Sequence, residues 1–401
     1  MFHQMNGLLL FITFAFIYLY DYTGGAAAAL TGAAMLILAS RWIEQAGLRI
    51  KDGSSLEAFL RRNFTPKGQV FITALRLLAC SEGLVLNTLF AGYLLQQLFG
   101  ILPLWTGVLV MLFTYIYAGV GGISGIRKVG IWLFVLMFTA LMLIPVSVYL
   151  FKGISLIRLH LDALNLMQLN TGPLFIGCIA FGFLFLGKFM LNVLIYPEFS
   201  LIKSKRFRMA YQLTAVCWCA LPLSGSVIFL YVLSIPSLSN SSSGSLDHLL
   251  GAIPGNLPVP ILYLLTLFIL ASVVLGIGTS LYGMLSILQG QLSSFFNVNK
   301  IYAAASILCG LPLLAIPFSD QVIPASIMFY CHLFTASGLP LFNMWDQKKP
   351  RGAELAGGIL FSTALGCIVS WYTSYWFGLI ICVIIPSIVM RITSFQKTSK
   401  I

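Results

Sequence analysis

The sequence predicts an all-α polytopic membrane protein with about twelve transmembrane helices, and three observations predict it. Hydrophobic residues make up 59% of the 401 and charged residues only 8%, against about 25% charged in a typical soluble domain. That is too little charge to coat a water-facing surface of this size. The apolar residues fall in blocks of about 20, the length that crosses ~30 Å of hydrocarbon at 1.5 Å rise per residue. The basic residues collect in every second connector, as they do when alternate loops stay cytoplasmic.

Taken in order, the spans are 6–21, 25–43, 69–98, 103–122, 130–151, 172–196, 209–234, 260–287, 301–317, 322–343, 353–371 and 374–392. The first block, Gly7 to Tyr20, has neither the basic start nor the small-residue cleavage site of a signal peptide and is read as a retained span. Asp21, set between Tyr20 and Tyr22, marks the interface at the end of span one, and span two opens with a small-residue run, GGAAAALTGAA (24–34), suited to close helix packing. Arg41, Arg49, Lys51, Arg61, Arg62 and Lys67 lie between spans two and three. Arg127 and Lys128 follow span four, and Lys203, Lys205, Arg206 and Arg208 follow span six. Lys300 follows span eight, Lys348, Lys349 and Arg351 follow span ten, and Arg391, Lys397 and Lys400 close the chain. Of the 23 Lys and Arg, only Lys152 and Arg158 fall on the other side, and only Arg76 and Lys188 inside spans. Both termini are therefore expected in the cytoplasm, with the chain in the plasma (inner) membrane.

The connectors 152–171 and 235–259 are the longest on the far side, the second a Ser-, Gly- and Pro-rich polar loop. The net charge of +12 belongs to sidedness, so nucleic acid is not an expected partner; the lipid bilayer and a small solute are. The eight cysteines sit in apolar blocks without metal-ligand or disulfide spacing and read as small buried hydrophobes. Nucleotide-binding loops, a GxSxG elbow and an HExxH motif are absent, so the sequence offers no enzyme chemistry and no bound cofactor.

The stretch SLEAFLRRNF…LFGILPLWTGVLVMLFTYIYAGVGGISGIRKVG (55–130) resembles the sodium:solute symporter family. Its members carry an acidic–aromatic and basic segment after the second core helix, an LFGI-like turn between core helices three and four, and an aromatic–GG segment leading into core helix five. WDQKKPRGAELAGG (345–358) is similar to the junction after core helix ten, and HLLGAIPGNLPVP with the apolar block after it to the approach to core helix eight. The resemblance covers nearly the whole chain. It implies a leucine-transporter-like fold of two inverted five-helix repeats, here 1–151 and 172–343, with 353–392 as two peripheral helices. Helices one and six of such a fold are broken near the midplane and bind ions and substrate there.

Two departures follow from the same resemblance. Only about 20 residues precede Asp21, so the first core helix is expected to be shortened. Core helix eight of the family offers sodium two adjacent hydroxyls after a small residue. A gapless register puts Gly276 and Ile277 at the hydroxyl positions, which removes the site, whereas a slide of three supplies Gly276, Thr279 and Ser280, which keeps it. Sodium and a proton are thus the two candidate coupling ions.

Charges inside spans identify the remaining candidates. Glu82 lies near the middle of span three and Lys188 lies inside span six. An unpaired charge there costs about 2.5–3.5 kcal/mol or more, so each needs a partner or a wet cavity. The expectation is that Glu82 and Lys188 approach each other, either as a substrate or proton site or as a structural lock. Arg76, six residues from Glu82 and so about 120° around the helix, is expected to snorkel to the interface. His332, midway along span ten, is either a hydrogen-bonded structural group or a proton relay. The functional expectation is a secondary transporter of a small polar or zwitterionic solute working by alternating access. The rival is a non-transporting sensor or scaffold built on a transporter fold.

Overall fold

A computed structural model describes residues 7–49, 64–163, 171–192, 204–233, 258–291, 298–344 and 353–398. Every regular element among them is helical. The helices are α1 (Gly7–Arg49), α2 (Pro66–Phe99), α3 (Pro103–Thr114), α4 (Gly122–Ala163), α5 (Thr171–Leu191) and α6 (Ser204–Leu233). They continue with α7 (Val259–Gln291), α8 (Val298–Ala315), α9 (Ser319–Met344), α10 (Ala353–Tyr372) and α11 (Tyr375–Thr398). A π-helical segment, Tyr115–Val120, ends α3, and a 3-10 turn, Ile316–Phe318, joins α8 to α9. Nine stretches among the described residues are long and apolar enough to cross a bilayer. The chain is a multi-pass helical membrane protein.

Local chemistry explains the boundaries. Thr65 caps α2 by accepting the Gly68 N–H at 3.3 Å, and Pro66 fills the first helical position, where no N–H is needed. Gly100 ends the same helix in the left-handed region (φ 67°), with its N–H on the Gln96 carbonyl. Pro103 then opens α3, so the LFGILP turn is as short as the sequence suggested. The expected surface helix at 55–64 (save Phe64), nearly all of the polar loop at 235–259 and the 345–352 junction lie outside the described residues.

One expected break is absent and another comes later in the chain than expected. Spans 6–21 and 25–43 form the single helix α1, with Thr23 Oγ1 donating to the Tyr20 carbonyl at 2.5 Å through the expected corner. Its small residues do pack a helix. Gly25 lies against Ser226 and the Pro222 carbonyl, Cys219 Sγ approaches the Ala29 carbonyl at 3.7 Å, and Gly32 meets the Trp218 indole. Rising numbers in α1 meet falling numbers in α6, so the two helices are antiparallel. The second break, the connector 152–171, is helical as far as Ala163, because nothing between Pro145 and that point stops α4.

The interior is built on α1 with α6, α5 with α9, α2 and α4 with α7, and the α10–α11 hairpin. Outward faces are apolar: Trp105 on α3, Trp132 on α4 and Trp371 on α10 are 62%, 75% and 74% exposed, facing lipid where a soluble fold would place charge.

Candidate functional site

Three consecutive residues of α2 reach three different helices. A helix turns about 100° per residue, so Ser81, Glu82 and Gly83 point to different sides. Ser81 donates to the Leu78 carbonyl at 2.7 Å, so at 2.8 Å it accepts the Tyr330 hydroxyl of α9. Glu82 Oε2 accepts from Lys188 Nζ of α5 at 2.7 Å. Gly83 packs on Ser280 and on the Gly276 carbonyl of α7, and a Cβ there would overlap the serine hydroxyl. Asn87, one turn on, donates from Nδ2 to the Gly83 carbonyl at 2.8 Å and fixes that stretch of backbone.

The pair is dry. Glu82 is 2% exposed and Lys188 6%. Glu82 sits halfway along the 34-residue α2, about 25 Å from either end at 1.5 Å per residue. Lys188 lies in the last turn of α5, where the negative end of the helix dipole favours a cation. Its ammonium also lies 5.1 Å from the centre of the Phe334 ring, within cation–π range. Gly187 makes this placement possible, since its bare backbone rests on the Phe334 carbonyl and any Cβ would drive α5 from α9. Lys188 is thus held by a carboxylate, an aromatic face and a helix terminus. Glu82 Oε1, the other carboxylate oxygen, is buried and accepts no hydrogen bond among the described residues. A dry carboxylate normally fills such a position, so this oxygen is an open acceptor.

The residues singled out from sequence divide between two places. The structure joins Glu82 and Lys188 and sets Gly276 and Ser280 beside them through Gly83. Thr279 Oγ1 donates to the Gly276 carbonyl at 3.0 Å, within the α7 turn. His332, fully buried, lies elsewhere, in a notch of α9, α10 and α11. Its Nδ1 is 2.6 Å from the Met328 carbonyl, which only accepts, so Nδ1 carries a proton, and Nε2 pairs with the Ser370 hydroxyl at 2.8 Å. The Tyr375 ring packs edge-on against it at 5.3 Å. Arg76 departs from expectation. It is buried at 8% exposure instead of reaching the interface, because the helices around α2 enclose that face. Asp21 falls inside α1, and its side chain lies outside the described residues.

All eight cysteines are free, and no group of His, Cys, Asp or Glu among the described residues could hold a metal ion. Sequence reasoning missed Ser81, Tyr330 and Phe334. Ser81 and Gly83 flank an intramembrane glutamate, and that adjacency was the available signal. Tyr330 and Phe334 required knowing which helices meet.

No protein-family model matches the chain, and no curated protein matches it. Solved structures do. A Na+-coupled sialic acid symporter, in a substrate-bound outward-open state, is similar with a TM-score of 0.68 at 17% identity, over 98% of this chain and 90% of that one. Mhp1, a nucleobase-cation-symport-1 family transporter in a closed conformation with bromovinylhydantoin bound, is similar with a TM-score of 0.50 at 15% identity, over 98% and 91%. The chain therefore shares the fold of these transporters along nearly its whole length.

Proposed function

We propose that this chain is a secondary transporter of the sodium:solute symporter type that moves a small polar or zwitterionic solute by alternating access. The carrying observation is the buried Glu82–Lys188 pair with one carboxylate oxygen left open, where α2, α5, α7 and α9 meet. A zwitterion inserted there offers its ammonium to Glu82 and its carboxylate to Lys188, so charge stays balanced in a medium that penalises imbalance. The coupling ion is sodium at the Gly276, Thr279 and Ser280 turn, or a proton on Glu82. The fold shared with a Na+-coupled symporter supports the first of these. In this reading 172–343 is one repeat, 1–151 is the other with its first two expected spans merged into α1, and 353–392 is peripheral; the basic connectors and the C-terminus face the cytoplasm of the inner membrane, and the single α1 puts the N-terminus on the side opposite the 41–67 connector. The chain does no covalent chemistry.

Solute uptake into proteoliposomes, with sodium and pH gradients imposed separately, tests the reading. Uptake driven by one gradient is expected, together with its loss in Glu82→Gln and in Lys188→Met. Normal uptake by both variants would remove the pair from the mechanism. One observation favours a non-transporting sensor: α1 is unbroken where a midplane break would expose ion-binding carbonyls. The absence of uptake across amino acids, sugars and carboxylates would select that alternative.

A further inference from the structure

The π-helical segment Tyr115–Val120 at the end of α3 carries one buried phenol, Tyr117, with its ring packed against Phe113 at 5.3 Å. Its hydroxyl donates to the Val274 carbonyl of α7 at 2.6 Å. Residue 278 is four beyond 274, so this carbonyl is also the one that the Gly278 N–H faces in the α7 ladder. A Cβ at 278 would overlap the hydroxyl, and glycine is what lets the phenol come this close. A hydroxyl on a ladder carbonyl ties that turn to its own segment, and π segments place residues where a regular helix would not. The turn immediately beyond Gly278 carries Thr279 and Ser280, the latter packed on Gly83 beside Glu82.

We infer that Tyr117 is a positioning residue whose hydroxyl holds the Val274 carbonyl against Gly278 and aims the Thr279–Ser280 turn of α7 at α2. The inference rests on the transporter reading for its functional consequence but not for its structural content. It touches neither Glu82 nor Lys188. It acts on the α7 turn alone, so it alters the ion's affinity more than the solute's.

Tyr117→Phe tests it with two readouts. In proteoliposomes the half-saturating concentration of the coupling ion rises roughly fivefold to tenfold, the scale of one hydrogen bond lost, while the solute KM at saturating ion stays within about twofold. An unchanged ion dependence overturns the inference, and so does an equal loss for ion and solute. The second readout needs no transport. Hydrogen exchange in the peptide covering 274–282 speeds up in Tyr117→Phe, because that turn of α7 loses its tie to the π-helical segment. Unchanged or slower exchange shows that the hydroxyl does not hold the turn. A wild-type protein that moves no solute defeats the transporter reading and leaves the exchange result standing by itself.

Discussion

Two buried polar centres lie on opposite sides of α9, and they are finished differently. On one side, Tyr330 and Phe334 face the α2–α5 pair, where Lys188 is fully held and Glu82 keeps an open oxygen. On the other, His332 has both ring nitrogens bonded, one to backbone and one to Ser370, inside a glycine notch of the α10–α11 hairpin. Burial alone does not separate them, since all three ionisable groups are nearly inaccessible. Saturation does. A polar group with every partner supplied fixes a packing arrangement, whereas a buried acceptor with none keeps room for a ligand or a proton.

The largest expected effect comes from unbalancing the open centre. Lys188→Met leaves the Glu82 charge buried without its partner, which costs about 3–5 kcal/mol and appears as a large drop in melting temperature in detergent. Adding Glu82→Gln removes the stranded charge, so the double variant recovers most of the stability but no uptake. Recovery of both would make the pair a lock and put it in the same class as the histidine centre.

At the saturated centre a comparable loss is expected from packing alone. A Cβ on Gly378 would overlap the Ser370 hydroxyl and the Gly366 carbonyl, so Gly378→Ala lowers stability by about 1–3 kcal/mol. The protein that remains folded transports with unchanged KM. His332→Gln should follow the same rule, with a stability loss of about 1–3 kcal/mol from the ring's lost hydrogen bonds to Ser370 and the Met328 carbonyl. The pH profile of uptake is expected to stay as in the wild type. A shifted profile would break the contrast and restore the histidine as a relay.

The fold class and the approach of Glu82 to Lys188 were legible in the sequence for one physical reason. Lipid forces backbone polarity into helices and makes each intramembrane charge find company, so composition and isolated charges speak directly. Continuity was less legible. GGAAAALTGAA was legible as a packing face, and α6 packs on it, but the expected corner just before it, at 22–24, is continuous helix. The burial of Arg76 was hidden similarly, because snorkelling depends on which neighbours enclose the helix and its own residues do not reveal that. Tyr117 was the least legible. An aromatic in an apolar block has no sequence mark for a hydroxyl that reaches another helix's backbone.

The smallest effect sharpens the comparison most, because it is made at the residue next to Glu82 without carrying charge. Ser81 accepts the Tyr330 hydroxyl and ties α2 to α9 one residue from Glu82. Ser81→Ala removes that acceptor and costs about 0.5–1.5 kcal/mol. Glu82 and Lys188 keep their bond, so a site defined by the charges keeps its solute KM within about twofold. Ser81→Ala leaves Tyr330 seeking a partner, and Glu82 Oε1 is an open acceptor on the residue next to 81. A rise in solute KM well beyond twofold, with the ion dependence unchanged, would mean that the phenol competes for that oxygen. The open acceptor would then be real but guarded, and the Ser81–Tyr330 bond would be the device that keeps it free.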